Sequence, residues 1–83
     1  MRTELLELLA EDDFEIQDQY TEFTADRGDV RVVLLEDGGV ELYVFDEFRC
    51  LRYRAEFSDL TPVSLIVQAI GYAMKESSAL ATV

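Results

Sequence analysis

The sequence predicts an α+β protein: an antiparallel β-meander of three to four strands flanked by an N-terminal and a C-terminal helix, in the order αββββα. Three observations carry this expectation. Leucines near the N-terminus recur at helical spacing. Residues 30–57 hold β-branched and aromatic runs separated by turn residues. A long apolar stretch then opens on Thr61-Pro62, a helix-start signal. With 83 residues the chain suffices for a single domain spanning 1–83.

The elements follow in order. Thr3 is the expected N-cap of a helix from Glu4 to about Glu11. Leu5, Leu8 and Leu9 share one face, with Leu6 at its edge. From Phe14 the pattern becomes extended, with Phe14 and Ile16 on one side. Tyr20 and Phe23 fall on opposite faces, so a bulge or break is expected there. Ala25 to Asp29 reads as a turn around Gly28. Val30 to Leu35 is nearly all apolar, as in a strand covered on both faces. Glu36-Asp37-Gly38-Gly39 predicts a tight hairpin, and Val40 to Phe45 the returning strand. Arg49 to Phe57 alternates, which places Leu51, Tyr53, Ala55 and Phe57 inward and Cys50, Arg52, Arg54 and Glu56 outward. Thr61 then caps, and Pro62 starts, a helix reaching about Lys75 or Glu76.

Charge separates the function classes. Eighteen acids against seven bases give −11, a field that repels nucleic acid and anionic lipid and attracts basic surfaces. The charge is concentrated: residues 1–29 hold ten acids and two arginines, whereas residues 61–83 hold only Lys75 and Glu76. A partner-binding patch is therefore expected at Glu4, Glu7, Glu11, Asp12, Asp13, Glu15, Asp18 and Glu22. Glu4, Glu7 and Glu11 form a helical stripe, and Asp13 and Glu15 continue it at strand spacing, about 7 Å apart. Phosphates along a nucleic-acid strand are similarly spaced, so such a row imitates a backbone. The plainer reading is a solvated face that keeps the protein dispersed or suits a salty cytoplasm. The arginines at 49, 52 and 54 either form a small anion site or pair across strands with Glu41, Glu47 or Glu56; the pairing is the expectation.

The chemistry of catalysis is missing. The chain has no His, and its one Cys50 has no base to activate it. No phosphate-binding loop or calcium loop is present, and Asp12-Asp13-Glu15 suits a divalent cation only weakly. The expectation is no enzyme, no metal and no cofactor. No membrane-spanning run and no signal-peptide core are seen, which with the lone cysteine points to the cytoplasm.

The terminal helix is apolar around most of its girth. Ile66, Ile70, Gly71, Tyr72 and Met74 are therefore expected to form the interface of a homodimer, with Gly71 admitting a close helix. The contrary expectation is cover within one chain, by the first helix and the tail Ser77–Val83.

In size, acidity and lack of catalytic residues, and specifically in its Glu4–Asp29 acids, the chain resembles the small inhibitors of phages and mobile elements, which include anti-CRISPR proteins and DNA mimics. That resemblance implies a viral protein in a host cytoplasm, an inhibitor that occupies a basic surface on a nucleic-acid-handling protein such as a CRISPR effector. The helix–meander–helix order also looks like the opening of the longer type III secretion chaperones, which implies an acidic dimeric chaperone or adaptor that binds a peptide segment.

Overall fold

The structure is a computed structural model that describes residues 2–81, with side chains described as far as Glu76. Its order is α1 (Thr3–Glu11), β1 (Glu15–Gln19), β2 (Glu22–Arg27), β3 (Val30–Leu35), β4 (Val40–Phe45), β5 (Leu51–Phe57) and α2 (Val63–Ala81). The α+β class and the flanking helices are as the sequence predicts. The sheet has one strand more than the upper expected count: five antiparallel strands in the order β1-β2-β3-β4-β5.

The added strand comes from the break at Tyr20. Tyr20 and Thr21 form a two-residue turn between Gln19 and Glu22, with Tyr20 at φ 68°. Left-handed turns of this kind usually carry Gly or Asn, so Tyr20-Thr21 is not legible as one from residue type. The turn expected from Ala25 shrinks to Gly28-Asp29, because Ala25, Asp26 and Arg27 all pair with β3. Arg2 rather than Thr3 stands at the cap of α1, and no side chain caps it. Pro62 stands just before α2, where its carbonyl accepts from the Leu65 and Ile66 amides.

Register sorts the sheet into two faces. On the inner face Ile16, Ala25, Val32, Leu42 and Ala55 form one row. Phe23, Leu34, Val40 and Phe57 form the next. Both helices pack here: Leu5 and Leu9 from α1 and Ile66, Ile70 and Ala73 from α2 join these side chains in one core. Leu8 departs from the expected helical face and is largely exposed. No described element packs on the outer face.

At the β4–β5 pairing a register shift falls between Val44 and Phe45. Val44 pairs with Tyr53 and Phe45 with Leu51, so Arg52 is the extra residue. The expected alternation holds from Tyr53 to Phe57 and fails before the bulge, where Leu51 turns to the outer face beside Phe45.

Candidate acidic site and open sheet face

The eight acids of the expected patch are exposed, except Glu22, which is half-buried. They do not form one plane. α1 starts beside the β3–β4 turn, where Arg2 donates to the Gly38 carbonyl, and ends beside β2, where Asp12 meets Arg27 at 3.3 Å. Glu4 therefore lies at one end of the sheet and Glu11 at the other. Glu15 and Glu22 belong to the outer face, in the rows of Asp26 and Leu35, while Asp18 opposes the inner-face residue Phe23. Asp13 has φ 64° and lies in the turn before β1, so it does not continue a strand-spaced row. The acids spread along α1 to the β1 edge of the sheet rather than forming a flat stripe.

Their electrostatics are less divided than their positions. Asp12 is the one member with an ion pair among the described residues. Every arginine is engaged within the chain. Arg31 binds Asp26 at 2.6 Å, and that hydrogen bond raises its pKa against the opposing effect of burial. Arg49 meets Asp29, and Arg52 binds Glu76 at 2.7 Å. Arg54 bridges Glu41 and Glu56. Pairing, not an anion site, thus accounts for the arginines at 49, 52 and 54, although only Arg54 uses partners expected from sequence. Glu4, Glu7, Glu11, Asp13, Glu15, Asp18 and Glu22 remain without an ion pair among the described residues, as do Asp37, Asp46, Glu47 and Asp59 in the loops after β3, β4 and β5, so the larger share of the unbalanced charge sits on α1 and the β1–β2 hairpin.

Beside this edge the uncovered face carries a shallow groove of about 410 Å³. Val33, Tyr43, Phe45 and Leu51 supply its apolar part, and Gln19, Glu22 and Glu41 its polar rim. The Arg54 guanidinium stands 5.6 Å from the Tyr43 ring centroid, and Arg49 the same distance from Phe45. Sequence reasoning missed this groove, because the bulge that brings Leu51 to Phe45 leaves no mark in the alternation. It also missed Tyr20, which stands fully exposed at the tip of the β1–β2 turn between Asp18 and Glu22.

The expected dimer face needs correction. Ile66 and Ile70 are buried in the chain's own core, at 0% and 5% exposure, and Ala73 with them. They are the side chains by which α2 meets the sheet, so they are not free to meet a second copy. Gly71 and Tyr72 are exposed, and Met74 is half-buried beside a small apolar groove shared with Leu5, Leu8 and Leu9 of α1. The tail Ser77–Val83 lies outside the described side chains.

Among the described residues no three His, Cys, Asp or Glu side chains group as a metal site, and no helix is long and apolar enough to cross a membrane. Comparison with protein-family models, with curated proteins and with solved structures gave no match to this chain.

Proposed function

We propose that the protein is a binding protein without chemistry of its own, which occupies a basic surface on a nucleic-acid-handling partner and so keeps nucleic acid from it. One observation carries the reading: every arginine is engaged internally, while seven acids of α1 and the β1–β2 hairpin have no ion pair among the described residues. Charge left unpaired on α1 and the β1–β2 hairpin is free to meet cations on another molecule, and it steers such a partner from a distance. Tyr20 at the hairpin tip adds an aromatic anchor of the type that dominates binding energy at interfaces. A left-handed, solvent-exposed tyrosine contributes little to the fold, so a contact elsewhere gives it a use. The reading places the protein in a cytoplasm, where the exposed thiol of Cys50 stays reduced.

The test is NMR titration of the labelled protein with an arginine-rich unstructured peptide, at about 50 mM and about 300 mM salt. Shifts should concentrate in residues 11–22, and affinity should fall by about tenfold or more at the higher salt. The variant Glu11→Lys/Glu15→Lys/Asp18→Lys should remain folded and lose binding. Unchanged affinity in that folded variant would falsify the reading.

A second reading has its own support in the groove on the open face. An adaptor or chaperone would lay an extended segment across Tyr43, Phe45 and Leu51. Its binding would persist at the higher salt, and the shifts would centre on β4 instead of β1.

A further inference from the structure

The two edges of the sheet differ in kind. β1 carries unpaired acids, which discourage another strand from adding there. β5 is the other edge, and its charges are already balanced by Glu41, Glu56 and Glu76. We propose that β5 pairs antiparallel with β5 of a second copy about a two-fold axis at Ala55, joining two sheets into one of ten strands.

The order of side chains in β5 is self-complementary about that residue. With Ala55 opposite its own copy, Arg54 faces Glu56 of the other chain, and Glu56 faces Arg54. Both lie on the outer face, since they pair in register with Tyr43 and Glu41. On the inner face Tyr53 comes opposite Phe57, an aromatic pair on each side of the axis. The small Ala55 sits where the two backbones approach most closely.

A second observation points to the same side. Leu65, Ala69, Tyr72 and Glu76 form one stripe of α2, because spacings of four, three and four return to the same face of a helix. Glu76 binds Arg52 of β5, which fixes that stripe on the β5 side. Leu65 is 53% and Tyr72 66% exposed, an apolar surface running alongside the open edge. A second copy seated on β5 brings its own α2 towards these side chains, so one partner satisfies both strand edge and helix stripe. The opposite pairing, β5 of one copy onto β1 of the next, is head-to-tail and leaves a free edge at each end, so it does not close. The two-fold arrangement leaves the β1 edges at the far ends of the joined sheet, so the dimer presents two copies of the acidic site, whichever partner that site takes.

Sedimentation with two charge variants tests this. The intact protein should sediment as a species of twice 9.5 kDa at tens of micromolar. Arg54→Glu places like charges across the seam, and Glu56→Arg does the same with the opposite sign. Each should weaken self-association by about tenfold or more, with circular dichroism unchanged. An equimolar mixture of the two variants should recover the dimer, because each acidic seam then meets a basic one. Three results would each overturn the proposal: a wild-type protein that stays at 9.5 kDa throughout, two variants that dimerise as tightly as the parent, or an open-ended series of larger species.

Discussion

Arg2 holds the start of α1 against two loops that are 36 and 56 residues away in sequence, donating at 2.8 Å to the carbonyls of Gly38 and Ser58. Both acceptors are backbone atoms, so no side-chain pairing in the sequence could reveal them. Arg2→Ala should lower stability by about 1–2 kcal/mol, read as a fall in the urea midpoint at unchanged slope. Gly38 is demanding for a different reason. Its φ is 97°, and an added Cβ would come within 3.0 Å of Asp59 Cβ. Tyr53 supplies a pH signature. Burial holds its phenol above the ordinary value, helped by the charges of Glu76 and Tyr72 and opposed by Arg52. The fold therefore keeps this proton more tightly than the unfolded chain does. The resulting stability is fully present below pH 10.0, the unfolded value, and is lost as pH rises through the raised one. Tyr53→Phe should flatten that part of the alkaline decline in urea midpoints. An identical decline in the variant would mean that other groups cause it.

At the scale of elements, α2 separates two roles that its sequence alone confuses. Ile66 is fully buried against the sheet, and Ile66→Ala should cost about 2–4 kcal/mol. Gly71, exposed on α2, has nothing within 4 Å of the position an added Cβ would take. Gly71→Ala should therefore stabilise the protein by about 0.5–1 kcal/mol, since glycine inside a helix forfeits that much. A destabilised Gly71→Ala would show that a close neighbour uses the site. The contrast explains what was legible. β3, β4 and the Gly38-Gly39 hairpin follow directly from β-branched runs and turn residues. β1 and β2 do not separate in the sequence, because a tyrosine occupies the left-handed turn position between them. The apolar girth of α2 is readable, but which residues it buries depends on where the sheet lies. The acids at the β1 edge were legible as a cluster, whereas their division between two faces depends on register and on the diagonal path of α1.

Over the whole molecule, a charge of −11 is confined to a body measuring 38 × 24 × 22 Å. Unpaired like charges on such a body repel one another and favour expansion. The internal ion pairs are partly exposed and contribute little apiece, so repulsion should outweigh them in the response to salt. Added salt should therefore raise the melting temperature while weakening the proposed binding to a basic partner, two effects of opposite sign from the same acids. The variant Glu11→Lys/Glu15→Lys/Asp18→Lys separates them. Each reversal adds two charges, so three take −11 to −5. At low salt the variant should melt higher than the parent, by about 4–8 °C for each kcal/mol of repulsion relieved. Its melting temperature should also depend less on salt. Calorimetry at low and high salt reads both quantities. A variant that melts lower than the parent at low salt would show that these acids support the fold, and its loss of binding could then no longer be credited to a recognition site.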